Sequence, residues 1–382
     1  MTRKSHETSF FRTEMLPPKP PPPATTGVLG WMRKHLFSDW LNTILTFIGI
    51  YIIWLIVSSF VQFALIDAVW SGADRKACLP HDGIEVGACW AFVHAKFNQF
   101  MYGFYPRALQ WRVNLTYIVG ILLLVPMLIP KLPYKRLNGI LLLVVFPIFA
   151  YLMLYGAPSL GLDKVETTKW GGLLLTLVIA ITGIVTSLPL GVLLALGRQS
   201  KMPIVRLVSV IFIEFWRGVP LITVLFMSSV MLPLFLPEGV TLDKVVRPLV
   251  GVALFSAAYM AEVVRGGLQA IPKGQYEGAM ALGLSYWQMM RFIILPQALK
   301  LVIPGIVNTF IGLFKDTSLV SIIGLMDLLG IVQSSLADAK WATPTTAPTA
   351  YLFLAMIYWT FCFSMSRYSI FMENLLHTGH KR

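Results

Sequence analysis

Eight stretches of this chain are apolar over lengths that suit hydrocarbon rather than water, and they decide the class of fold before any motif is read. They run approximately over 41–65, 113–130, 137–157, 171–197, 205–235, 248–270, 300–324 and 348–371. A helix needs roughly 20 such residues to cross about 30 Å of bilayer core. The expected class is therefore all-α, a polytopic transmembrane bundle of about eight spanning helices. Charge is scarce to match: 13% of residues are charged against 56% apolar, about half the charge of a soluble domain. The net charge of +13 then reflects Lys and Arg retained on one side of the membrane. A nucleic-acid partner would need a basic soluble face, which this chain hardly has.

The loops set an expected orientation. Basic residues gather before the first segment (Arg3, Lys4, Arg12, Lys19, Arg33, Lys34), after the second (Lys131, Lys135, Arg136) and after the fourth (Arg198, Lys201, Arg206). More lie between the sixth and seventh (Lys273, Arg291, Lys300) and at the C-terminus (Lys381, Arg382). Alternate loops mix signs: Asp67, Asp74, Arg75, Asp82 and Glu85; then Asp163, Lys164 and Glu166; then Glu238, Asp243 and Lys244. Both termini are expected on the cytoplasmic side. Residues 1–39 form a basic tail whose prolines at 17–23 suit a polyproline II spacer or an SH3-type ligand. The first apolar stretch begins about forty residues in and lacks a small-residue cleavage site after it, so it reads as a retained anchor.

Cys78 and Cys89 fall in the large first external loop, 67–112. An oxidising compartment would let them pair, free thiols being the alternative. Cys362, within the last segment, reads as a packing residue.

Composition divides the chain near residue 165. The region 40–164 carries three segments with few polar residues and an aromatic-rich loop; 165–375 carries glycine, proline and charge at membrane depth, followed by a short tail at 376–382. In the fourth segment Gly183, Ser187, Gly191 and Ala195 recur every four residues, a flat face for close helix approach inside this subunit or between subunits. The fifth and sixth segments each hold Glu-x-x-Arg-Gly, Glu214 with Arg217 and Glu262 with Arg265. A spacing of three lets each pair neutralise itself. These four, with Lys315 and Asp316 in the seventh segment, are candidates for a polar pathway, a gate or core ion pairs. Lys315 and Asp316 are adjacent, face differently, and are expected to pair with other helices.

No Gly-x-x-x-x-Gly-Lys-Ser/Thr loop occurs, so no ATP site of its own is expected. The histidines (His6, His35, His81, His94, His377, His380) are scattered and no metal motif appears. A transport component is the class that remains, rather than an enzyme.

Between the sixth and seventh segments lies Glu277-Gly278-Ala279-Met-Ala-Leu-Gly283-Leu-Ser-Tyr-Trp287-Gln-Met-Met-Arg291-Phe-Ile-Ile-Leu295-Pro296. It reads as a helix opened by Glu277, a turn at Gly283, a second helix with an apolar side of Trp287, Met290 and Ile294, and a stop at Pro296. Such a hairpin, 275–297, could lie on lipid or fit a partner.

These residues resemble the Glu-Ala-Ala signature of binding-protein-dependent ATP-binding-cassette permeases, with Gly278 where Ala is usual. Phe215-Trp-Arg217-Gly-Val-Pro220-Leu221, Ala258-Tyr259-Met-Ala-Glu262-Val-Val-Arg265-Gly-Gly267, Ile271-Pro272-Lys-Gly274-Gln275, Leu295-Pro296-Gln297-Ala298 and Lys315-Asp316-Thr317-Ser318-Leu319 are similar to polar amino acid permeases. The extra N-terminal helices and large loop resemble a permease subunit of the general L-amino acid uptake systems of Gram-negative bacteria. The resemblance implies a type I importer core over 165–375 and alternating access. It implies a coupling role for Glu277, Gly278, Ala279, Gly283, Trp287, Leu295 and Pro296 against an ATPase dimer, which holds ATP and Mg. It also implies a second, paralogous permease subunit and a periplasmic amino acid binding protein. Two other readings of the residues remain: an ion-coupled secondary transporter, and a scaffold or receptor that recruits a partner without flux.

Overall fold

The computed structural model describes residues 27–80, 85–237 and 239–376. The proline run 17–23, Arg3, Lys4, His6, Arg12, Lys19, His81, Asp82, Glu238, His377, His380, Lys381 and Arg382 lie outside them. The described residues form helices and no strand, only isolated bridges. By packing, the chain separates into two compact units, 1–68 and 69–382, so the division near 165 is one of composition.

The first unit contains α1 (Gly27–His35) and α2 (Trp40–Ile66). Asp39 caps α2 by accepting the amide of Asn42 at 2.8 Å. The α2 surface is apolar and exposed on all sides, as expected of a helix solvated by lipid.

The second unit contains α3 (Trp90–Tyr102), α4 (Arg107–Leu128), α5 (Lys135–Tyr155), α6 (Gly172–Arg198), α7 (Pro203–Gly218), α8 (Leu221–Phe235) and α9 (Val246–Ala270). They are followed by α10 (Lys273–Ala281), α11 over 286–301, α12 (Ile303–Ile323), α13 (Leu328–Leu336) and α14 (Thr346–Leu376). Seven helices of the two units are long and apolar enough to span, α2, α4, α5, α6, α9, α12 and α14; the eighth expected span, 205–235, is two helices bent by 105°. The break has a local cause. Val219 precedes Pro220, which disfavours helical geometry there, and both residues are extended (ψ 134° and 140°).

Tertiary contacts sort this unit into two ends. At one end the start of α6 meets the start of α13, where the Gly172 amide donates to Met326 O at 2.9 Å. At the same end Thr167 Oγ1 donates to Asp243, and the Cys89 amide reaches Thr349 Oγ1 at the start of α14. At the other end lie Arg198, Glu262, the α10–α11 hairpin, and Tyr368, whose hydroxyl donates to Leu128 O where α4 finishes. The basic loops therefore share one end, and the mixed-sign loops the other. Arg198 meeting Glu262 also makes α6 and α9 run in the same direction, so the bent α7–α8 pair makes one net crossing.

The described residues of the loop 67–112 pack against the C-terminal part of this unit. Its helix α3 buries Phe92 and Phe100 against Leu328, Ile331, Val332 and Leu354, Lys96 pairs with Asp338 at 2.6 Å, and Cys78 is bonded to Cys89. We refer to this region as the cap. Within the transmembrane layer, the small-residue face of α6 is covered by this same chain. A Cβ on Gly191 would stand 2.7 Å from Met260 Cβ, and one on Gly183 would meet Leu313 and Val252. Cys362 packs half-buried beside the Leu313 and Phe314 cluster.

Replacing Gly191 with Ala should destabilise the fold by about 1–3 kcal/mol through overpacking against Met260 and the Ala261 amide. Gly266→Ala, whose added Cβ meets nothing within 4 Å, should be neutral or slightly stabilising. Thermal unfolding midpoints of the purified variants check this; equal midpoints would refute the close approach.

Candidate functional site

The charges at the basic end form one hub rather than two separate pairs. Glu262, on the third-last turn of α9, accepts from Arg265 Nη2 at 2.8 Å and from Arg198 Nη1 at 2.9 Å, and stands 3.6 Å from Arg217 Nη1. Arg198 Nη1 also lies 2.8 Å from Glu214. Glu262 and Arg265 neutralise each other as their spacing predicts. Glu214 and Arg217 do not: Glu214 turns to Arg198, and Arg217 to Glu262 and the Tyr259 ring. The expected self-pairing fails because other helices offer better-placed charges at the same level. Arg198, the last residue of α6, was counted only as a loop charge; an arginine ending a spanning helix was the available signal.

Glu262 is the most enclosed member, its side chain 15% exposed. Three guanidiniums converge on it from the ends of α6, α7 and α9. A partly desolvated carboxylate that binds three helices ties their ends together, and losing it leaves cations uncompensated.

The hairpin hangs directly from α9. Pro272, extended at ψ 140°, joins α9 to α10, so α10 begins at Lys273 and Glu277 sits mid-helix instead of opening it. Gly283 has φ +73° and makes the turn. The second helix starts with a capping box, Ser285 with Gln288, a Ser-x-x-Gln signal that could have been read from the sequence. Pro296 does not end this helix. A π-turn at Met290–Ile294 widens the backbone just before it, and the helix runs on to Leu301, which removes the clash a proline ring makes in a regular turn. The buried side is Met289, Met290, Ile294 and Ala298, whereas Trp287 is 66% exposed. With Met280, Leu282, Tyr286 and Phe292 it forms an apolar rim around the Gly283 turn. Glu277, Gly278 and Pro296 are exposed, Leu295 is half-buried and Ala279 is buried. A Cβ on Gly278 would meet nothing within 4 Å.

The hairpin is tied to the hub by packing. Tyr276 donates to Leu268 O at 3.2 Å, and Gly267 approaches the Ala298 carbonyl too closely for a Cβ. Met290, Ile294 and Ala298 share one apolar cluster with Ala195, Ile213, Met260 and Val264.

Lys315 and Asp316 stand apart from both features. Lys315 is exposed, Asp316 is half-buried, and neither forms an ion pair among the described residues; the expected pairing with other helices of this chain does not occur. At the opposite end Asp327, fully buried, caps α13 by accepting the amides of Leu329 and Gly330. Burial outweighs these hydrogen bonds and pushes its carboxyl up to about 6. No cluster of metal-ligating side chains occurs among the described residues.

Residues 187–371 match the family described as binding-protein-dependent transport system inner membrane component. The chain is 53% identical to the inner membrane amino-acid ABC transporter permease protein YhdY of Escherichia coli over 363 residues, 95% of this chain and 97% of that protein. It is 43% identical to the glutamate/glutamine/aspartate/asparagine transport system permease protein BztC of Rhodobacter capsulatus, covering 98% of this chain and all of the relative. A crystal structure of an amino acid ABC transporter with histidines aligns with 53% of this chain and 92% of its own, at 29% identity and a TM-score of 0.47.

Glu262→Gln should destabilise the protein by about 3 kcal/mol, Arg198→Gln less, and the more exposed Arg217→Gln by under about 1 kcal/mol. Unfolding midpoints that failed to follow this order would break the hub assignment. Asp327 binds its proton more tightly folded than unfolded, so its contribution is greatest below about pH 4 and is lost as pH rises through about 6. Asp327→Asn, which keeps a capping side chain, should flatten the stability profile across that window by on the order of 3 kcal/mol. An unchanged slope would show that Asp327 does not titrate there.

Proposed function

The chain belongs to the amino-acid ABC transporter permeases, multi-pass proteins of the inner membrane, and on that premise we propose that it is one membrane-spanning subunit of an ATP-driven importer of L-amino acids. Its basic end, with both termini, faces the cytoplasm, and the disulfide-closed cap faces the periplasm. A loaded binding protein delivers the amino acid at the cap end. ATP and Mg are held by a partner ATPase dimer, and a second, paralogous permease subunit completes the route. In this reading 165–375 is the transporting core and 40–164 an accessory region.

The observation that carries the reading is the unbroken path from the hairpin to the hub. The exposed rim of Met280, Leu282, Trp287 and Phe292 is the surface a nucleotide-binding subunit would grip, and Glu277, Gly278, Ala279, Gly283, Leu295 and Pro296 shape it. Displacement there reaches α9 through Pro272 and the cluster beneath α11. Glu262 with Arg198, Arg265, Arg217 and Glu214 then acts as a cytoplasmic latch whose opening lets α6, α7 and α9 separate. Lys315 and Asp316 lack ion-pair partners among the described residues, and we assign them to the pathway or to the face toward the second subunit.

Gly283→Val forces a β-branched residue toward a positive φ. Uptake and transport-linked ATP hydrolysis by the assembled complex should fall at least tenfold with membrane insertion unchanged; normal uptake would sink the coupling role. ATP hydrolysis measured with binding protein against a panel of L-amino acids, beginning with the acidic and amide residues named for BztC, tests the importer assignment. Ion-dependent uptake by this chain alone would instead favour a secondary transporter, and partner binding without flux a scaffold.

A further inference from the structure

We propose that the ends of α6, α7 and α9 form a binding site for the headgroup of an anionic phospholipid. A cavity of about 710 Å³ opens there, lined by Arg198, Gln199, Arg206, Val210, Arg265 and Gln269. Three guanidiniums line it and no carboxylate does. The acids behind them are Glu214 and Glu262, and both are engaged by Arg198, Arg217 and Arg265. Arg206 forms no ion pair among the described residues. Four arginines against two carboxylates leave an excess of positive charge at one mouth, and the two glutamines add amide donors. A phosphodiester meets that need, because guanidinium forks match its oxygens.

The position of the cavity says which kind of phosphate arrives. Arg206 in its first turn and Arg217 in its last both face the short stretch of α9 from Glu262 to Gln269, which rises only about 10 Å. Along α7 those two arginines are roughly 16 Å apart. Helix α7 therefore lines the cavity with its first half and reaches the hub with its last turn, and the chain then bends by 105° into α8. One stripe of α7 carries Arg206, Val210, Glu214 and Arg217 toward the cavity and hub. The opposite stripe, Ile204, Leu207, Val208, Ile211 and Phe215, is 49–75% exposed. That stripe suits the bilayer, and the cavity lies where the spanning helices α6 and α9 end, at the depth of lipid headgroups, so a phosphodiester carried by the bilayer reaches it. The lipid would hold Arg198 and Arg265 from the side opposite Glu262, so its headgroup and the latch share two arginines.

The test uses the transporter purified with its partner subunits, stripped of lipid in detergent, and titrated with cardiolipin or with phosphatidylethanolamine while native mass spectrometry counts bound lipid. Its readout does not depend on which face of the membrane this end meets, so it can fail independently of the importer reading. Arg206→Gln, an exposed change outside every ion pair, should weaken cardiolipin binding about fivefold, leave phosphatidylethanolamine binding unchanged, and be rescued by Arg206→Lys. Millimolar inorganic phosphate should not displace the lipid. Equal cardiolipin binding by wild type and Arg206→Gln, or equal affinity for the two lipids, would overturn the site. Displacement by phosphate would reassign the pocket to a soluble anion.

Discussion

The close approach of α6 to α9 is the contact on which the rest of this structure depends. Gly183, Ser187, Gly191 and Ala195 leave α6 without bulk on one face, so Met260 and Ala261 can lie almost against its backbone. In lipid this contact is not driven by expulsion of water from the helices; it rests on packing density and on how near two backbones can come. Because the two helices run side by side in one direction, their last turns arrive together. Arg198 is thereby carried to Glu262, and a charge that would otherwise face hydrocarbon alone is compensated several times over. The polar hub is thus a consequence of an apolar fit.

The second organising device is the interruption between Gly218 and Leu221. A straight helix over 205–235 would have taken Arg206 and Arg217 to different depths of the membrane. With the chain bent at Val219 and Pro220, α7 stays with its charges at the basic end and α8 alone crosses toward the Val245 region. The same local chemistry that breaks the helix keeps Glu214 and Arg217 beside the hub. A similar economy appears at Pro296, where one π-turn lets a proline sit within a continuous helix that buries Met290 and Ile294 on its way to α12.

Much of this was legible in the sequence, and the failures share a cause. Hydropathy located the long helices because a run of twenty apolar residues has few other fates. The sorting of basic and mixed loops onto two ends agrees with what Lys and Arg placement implies, and Gly283 stands where a left-handed turn is needed. Pro220 was visible, yet apolar residues continue on both sides of it and hide the bend from any window average. Glu214 and Arg217 have the right spacing to pair, but spacing describes what one helix permits and not what its neighbours offer. Arg198 looked like a loop residue since its partners lie 16 and 64 positions away. Trp287 reads with Met290 and Ile294 as one apolar side of the second helix, but only Met290 and Ile294 are covered by this chain and Trp287 stays exposed. Asp327 gave no sign beyond a helix-capping residue, because its burial is made by α3, α6 and α14.

The cap has one more property that follows from its wiring. The amide of Cys89 is satisfied by Thr349, a residue 260 positions later, and the Phe92 and Phe100 side chains find their pockets on Leu328, Ile331 and Leu354. None of these partners exists while a ribosome is still producing the first two-thirds of the protein. Phe92 and Phe100 therefore have none of these pockets, and the Cys89 amide has no Thr349, until the last helices are made. Completion of the last helix is what closes the cap. A segment made early is thus among the last to be completed.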